Sequence, residues 1–109
     1  MGNGEVPQVP AADVPGEAFL LDVRELQEWQ AGHVPGALHI PMSELAARCA
    51  EISQDRPLYV ICRSGRRSAQ AALALVGAGW QACNVADGMI GWQAAGRAMT
   101  SESGQPYVA

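Results

Sequence analysis

Apolar residues fall in short runs separated by proline, glycine and charged breaks, and most runs are followed by a stretch with helical spacing. Leu58-Tyr-Val-Ile61 is apolar at every position, the pattern of a strand covered on both faces, as in a parallel sheet. Residues 18–21, ending on Asp22, form a second buried strand; residues 37–40, bounded by Pro35-Gly36 and Pro41, a third; and residues 82–86 a fourth. Residues 8–10 read as a short edge strand, since proline cannot donate to a ladder. Asp13-Val-Pro-Gly16 reads as a turn or a single helical turn. A helix is predicted over 25–30, with Leu26 and Trp29 one turn apart on its inner side and Gly32 ending it. Ser43 is placed to cap the next helix, which carries Leu45, Cys49 and Ile52 on one stripe. The alanine- and leucine-rich run 66–76 has strong helix propensity and stops at Gly77 and Gly79. A short helix over 88–95 carries Trp92.

Strands alternating with helices imply parallel pairing with right-handed crossovers. In such sheets ligands bind beyond the carboxyl ends of the strands, which places Asp22 and Cys62 on one edge. Length then fixes the scale: 109 residues make one domain with a modest core, expected over 8–100 after a loose leader (1–7) and before a tail (101–109) that packs on the surface or frays. A net charge of −4, with no basic face outside one loop, argues against nucleic acid as a partner. No apolar run approaches the roughly 20 residues of a membrane span, and Met1-Gly-Asn-Gly-Glu5 lacks a secretory core. Three cysteines without paired spacing do not describe a disulfide framework, so a reducing cytoplasm fits best. No His/Cys spacing resembles a metal site, and no cofactor is expected.

The chemistry concentrates in Cys62-Arg-Ser-Gly-Arg-Arg-Ser68. Cys62 ends the central strand and faces the start of a helix, while Gly65 permits the turn between them. Free N–H groups and the positive end of the helix dipole favour an anion there. A thiol in that setting, near cations, can have its pKa lowered to roughly 3.5–7.5. Arg63, Arg66 and Arg67 supply the cations, three of the seven basic residues of an acidic chain. The alternative is a buried structural thiol beside a solvated helix start. Ser64 and Ser68 can donate hydroxyl hydrogen bonds to a sulfur or oxyanion, although Ser68 in a first helical turn can equally bond backbone.

This loop resembles the active-site loop of the single-domain rhodaneses, a family of sulfurtransferases. Leu20-Leu-Asp-Val-Arg-Glu25, Gly32-His-Val-Pro-Gly-Ala-Leu-His-Ile-Pro41 and Asp87-Gly-Met-Ile-Gly-Trp92 are similar to three further signatures of that family, in the same order. The resemblance implies an α/β fold with a five-stranded, mainly parallel sheet and helices on both faces. It further implies a Cys62 persulfide that receives sulfur from a small anionic donor such as thiosulfate and passes it to a thiol or protein acceptor. Arg63 points to the thiosulfate type, because mercaptopyruvate-using relatives carry a small uncharged residue there.

Several residues keep two readings. Asp22 and Arg24 either pin the loop or the substrate anion, or join Glu25 and Glu28 in an ion pair under the loop's floor. His33 and His39 are candidate bases, yet a thiolate ionised by its setting needs none; His33 can instead tie two loops together. Cys49 and Cys83 read as core sulfur, and the three tryptophans as core or pocket wall. A persulfide carrier module remains an alternative to an enzyme. Cysteine phosphatases and arsenate reductases of this fold need a cysteine, five residues, then arginine. Here that position is Ser68, and Arg67 comes one step early, which leaves a smaller cradle. Asp87 stands where relatives often carry glycine.

Overall fold

Residues 6–109 are described by a computed structural model. The strands are β1 (Gln8–Val9), β2 (Phe19–Asp22), β3 (Leu38–His39), β4 (Leu58–Ile61) and β5 (Ala82–Val85). The helices are α1 (Leu26–Ala31), α2 (Met42–Arg48), α3 (Arg66–Gly77) and α4 (Gly88–Ala94). The five strands form one sheet in the order β1-β5-β4-β2-β3, and every pairing is parallel. The wholly apolar β4 lies at the centre, and the proline-flanked β1 at an edge, as the pattern requires.

Side chains alternate across the sheet and divide the core in two. Leu58, Val60 and Cys62 face Leu45 of α2 and Ala71, Ala72 and Leu75 of α3. Leu20, Ile61 and Val85 face the opposite way, against Met89 and Trp92 of α4 and Ala11 in a single 3-10 turn over Ala11–Asp13. Helices therefore cover both faces.

Three local expectations are corrected. Leu26 is 54 % exposed rather than turned inward, because α1 begins only at Leu26, with Glu25 and Glu28 forming a capping box ahead of it. Ser43 does not cap α2: the helix starts at Met42 behind Pro41, and no side chain closes that end. α2 also ends at Arg48, so the stripe continues through a 3-10 turn (Cys49–Glu51); Leu45 and Ile52 are buried, while Cys49 and Cys83 are only half-buried. The expected leader lies outside the described residues up to position 5; Val6 packs on the core, and the Pro7 carbonyl accepts the Asn84 N–H. The tail packs rather than frays, with the Glu102 and Tyr107 amides donating to the carbonyls of Gln30 and Ala31.

Candidate functional site

The loop between β4 and α3 takes its shape from α4. The Met89 and Ile90 amides, in the first turn of α4, donate to the carbonyls of Cys62 (2.8 Å) and Arg63 (3.1 Å). In a planar trans peptide the N–H opposes the C=O, so the Arg63 and Ser64 amides turn away from α4 and into the loop. Close approach requires glycine on that side: Gly88 has φ +59°, and a Cβ there would stand 2.5 Å from the Arg63 carbonyl oxygen. Gly65, with φ +101°, begins α3 and leaves no room for a Cβ against the Ala86 carbonyl. The closing motif is thus the clamp that sets the backbone of the cysteine loop.

Inside that loop Cys62 Sγ accepts the N–H of Gly65 (3.1 Å) and of Ser68 (3.3 Å), and the Ser68 hydroxyl lies 3.2 Å away. Burial pushes the thiol's pKa up, but the Ser68 hydroxyl and the amides of Ser68, Gly65 and Ser64 outweigh it, so the group sits below its ordinary value. Cys62 is 1 % exposed. The hydrogen-bond donors surround the sulfur itself.

The three arginines do not converge on the sulfur. Arg67 turns to α1 and grips Glu28 with two hydrogen bonds of 2.8 and 2.9 Å. Arg63 is exposed, and its Nε donates to the Ala109 carbonyl oxygen (2.9 Å); Arg66 is exposed on the rim. The thiol's lowered pKa therefore comes chiefly from hydrogen bonds. Ser64 is exposed at the loop's tip.

Asp22 and Arg24 are both fully buried and form their own pair, Arg24 Nε and Nη2 donating to the Asp22 carboxylate at 2.9 and 2.8 Å. Arg24 Nη2 also donates to the Gly32 carbonyl (2.8 Å). The four-residue ion network expected from sequence is thus divided: Glu28 belongs to Arg67, and Glu25 to the helix cap. Trp29 stacks on His33 and His39, with centroids 3.6 and 4.7 Å apart. His33 Nδ1 and His39 Nε2 each lie 2.7 Å from a carbonyl oxygen, of Trp29 and Arg24 respectively. His33 therefore bonds back to α1 instead of tying two loops together, His39 links β3 to the Arg24 carbonyl, and neither imidazole has a hydrogen bond to the thiol sulfur. Asp87 is likewise occupied, accepting the Ala11 N–H at 2.7 Å.

Sequence reasoning passed over Asn84 and grouped Glu28 with Arg24 rather than with Arg67. Asn84 is 2 % exposed in β5 and accepts the Ser68 hydroxyl (2.5 Å) while donating to the Gly65 carbonyl (3.0 Å) and to Gln8 Oε1 (2.8 Å). A polar residue inside an otherwise apolar strand was the available signal, because a buried amide must be hydrogen-bonded. Nothing local marked Glu28 as the partner of an arginine 39 positions away. Among the described residues no three His, Cys, Asp or Glu side chains group as metal ligands would, and no helix is long and apolar enough to cross a membrane.

A rhodanese-like domain matches residues 10–95. The chain belongs to the rhodanese-like family. A sulfurtransferase of Allochromatium vinosum is 35% identical over 89 residues, which is 81% of this chain and 83% of that protein. Thiosulfate sulfurtransferase GlpE of Pseudomonas savastanoi is 38% identical over 71 residues, 65% of this chain and 67% of that protein. The rhodanese-like fold is matched in a crystal structure of a rhodanese-related protein from Thermoplasma volcanium, with a TM-score of 0.82 and 31% identity, covering 86% of this chain and 97% of that one. The match spans less than half the length of other curated relatives: 40% of YrkF of Bacillus subtilis and 37% of the HTH-type transcriptional regulator Rv0324 of Mycobacterium tuberculosis.

Proposed function

We propose that the protein is a sulfurtransferase that carries sulfane sulfur as a persulfide on Cys62, taking it from thiosulfate or a similar anionic donor. The observation that carries the reading is the ring of donors around one sulfur: the Gly65 and Ser68 amides and the Ser68 hydroxyl, all within 3.3 Å. In the first half-reaction the Cys62 thiolate attacks the outer sulfur of thiosulfate. The donor's S–S bond breaks, sulfite leaves with the electron pair, and the new S–S bond is the persulfide. The loop amides stabilise the charge on the bound sulfur, Arg63 and Arg66 draw the donor's charge to the mouth, the Ser64 hydroxyl there can donate to it, and Arg67 acts only through the charge left over from its pair with Glu28. In the second half a thiolate or other thiophilic acceptor attacks the outer sulfur, and Cys62 departs as thiolate. Asp22 and Arg24 support the loop's floor and touch no reacting atom.

GlpE bears thiosulfate in its name, and Arg63 favours an anionic donor here. The acceptor is a thiol or a protein thiol, and the working unit is residues 8–100, in a reducing compartment where its free thiols persist. The length of the loop and the diversion of Arg67 to Glu28 weigh against phosphate or arsenate chemistry. A second reading, a persulfide carrier module loaded by a partner, draws support from the near-complete burial of Cys62 and from the greater length of several relatives.

Intact mass after thiosulfate treatment decides the matter. The native chain is expected to gain one sulfur atom and Cys62→Ser none, with ping-pong turnover to an added acceptor. Turnover retained by Cys62→Ser would refute the persulfide. Loading only from a partner protein would favour the carrier, and hydrolysis of an aryl phosphate would restore the phosphatase.

A further inference from the structure

The Ser68 hydroxyl has one proton and two acceptors. Asn84 Oδ1 lies 2.5 Å from Ser68 Oγ, and Cys62 Sγ lies 3.2 Å from it on the other side. β5 pairs with β4, Val60 lying opposite Asn84, and the two-residue period of a strand puts Asn84 on the same face as Cys62. The direction of the Asn84 amide is fixed by its other neighbours. Its Nδ2 faces the Gly65 carbonyl oxygen, which can only accept, so Oδ1 is the atom presented to Ser68. Asn84 and Ser68 are both almost wholly buried, which keeps water from substituting for either partner.

We propose that Asn84 is a positioning residue for Cys62, giving the Ser68 hydroxyl a second acceptor so that its proton changes partner as the thiol gains and loses its own. With Cys62 protonated, the S–H donates to Ser68 Oγ and the hydroxyl donates to Asn84. When the thiol proton leaves to solvent, the hydroxyl rotates about its Cβ–Oγ bond and donates to the thiolate, leaving Asn84 Oδ1 without a donor. No covalent bond other than S–H is made or broken. Asn84 thereby opposes ionisation, and keeps the sulfur more basic, and a better nucleophile, than the loop's donors alone would leave it. Other charges bear on Cys62 as well: Arg67 held by Glu28 of α1, the Asp22–Arg24 pair of β2, and Arg63 and Arg66 at the mouth. Of β5, only Cys83 titrates, and it alternates to the opposite face from Asn84.

The proposal deepens the persulfide reading but is tested on the thiol alone. The probe is iodoacetamide, with the rate of alkylation followed on the Cys62 peptide by mass against pH. Ser68→Ala is expected to raise the midpoint by about one unit, as loss of a hydrogen bond to a charged group should. Asn84→Ala is expected to lower it by about half a unit to one unit, because only the protonated state loses a bond. In a Ser68→Ala background the same change is expected to do nothing. An unchanged midpoint in Asn84→Ala would overturn the proposal, and so would an equal shift in both backgrounds, which would assign the effect to the Gly65 carbonyl. If Asn84→Ala fails to fold by circular dichroism, Asn84→Ser, too short to reach Ser68 Oγ, is read in its place with the same two outcomes. Failure of thiosulfate loading in a protein that passes this cycle would sink the sulfur-transfer reading and leave the proton relay standing.

Discussion

Arg67 at the start of α3 and Glu28 in α1 are joined by two near-parallel hydrogen bonds, 2.8 and 2.9 Å long. The pair lowers the Glu28 carboxyl below its ordinary range and raises the guanidinium, each chiefly through the hydrogen bonds to the other. It latches the loop's exit to the first helix and withholds one cation from the mouth. Arg67→Ala is expected to raise KM for thiosulfate more than for an uncharged sulfur donor. Glu28→Gln, which releases the cation, should lower it. Both changes should be on the order of two- to five-fold, since the arginine is part-exposed and screened. Steady-state kinetics with the two donors, at low and high salt, make the check; equal effects on both donors would refute the electrostatic role.

The cysteines should separate by pH. Cys62 lies below its ordinary pKa, whereas burial alone pushes Cys83 above it. Alkylation of Cys62 should therefore rise through a lower midpoint than that of Cys83, each followed on its own peptide. The same depression ties the Cys62 thiolate to stability: its contribution is present above the unfolded-state pKa and is lost as pH falls through the folded one. Thiosulfate loading should decline over that same lower limb.

Removing one member of the Asp22–Arg24 pair strands a charge in a wholly buried site. Arg24→Ala is expected to cost about 3–5 kcal/mol in denaturant unfolding. Asp22→Asn combined with Arg24→Met should cost distinctly less than the two single changes added together. Additive losses would deny the coupling.

Gly88 carries a prediction about shape. A methyl group there would press on the carbonyls of Cys62 and Arg63, at a φ that L side chains resist. Gly88→Ala is expected to cost about 1–3 kcal/mol of stability and to reduce thiosulfate loading further than the unfolded fraction explains. Loading that tracks the folded fraction would show that α4 does not shape the loop.

The burden of the fold was legible because it rests on local pattern. β4 occupies the four apolar positions 58–61, α3 begins at Arg66 where the alanine-rich run begins, and Gly65 takes the positive φ its place demanded. The errors came where local pattern was thin. Leu26 and Ser43 each sit within the first two residues of their helices, where one residue of displacement changes what a side chain faces.

The sequence by itself determined the parallel sheet, the position of Cys62 at a strand end before a helix, and the glycine turn between them, since all three follow from hydrophobic period and backbone freedom. Tertiary structure alone decided what holds the groups around the sulfur. Asn84, Glu28 and the amides of α4 come from elements far from the loop in sequence, and only the packing of those elements brings them there. Composition counted three arginines beside the thiol; the fold turned one of them to a carboxylate and left the sulfur to hydrogen bonds, whose direction depends on coordinates that no linear pattern carries.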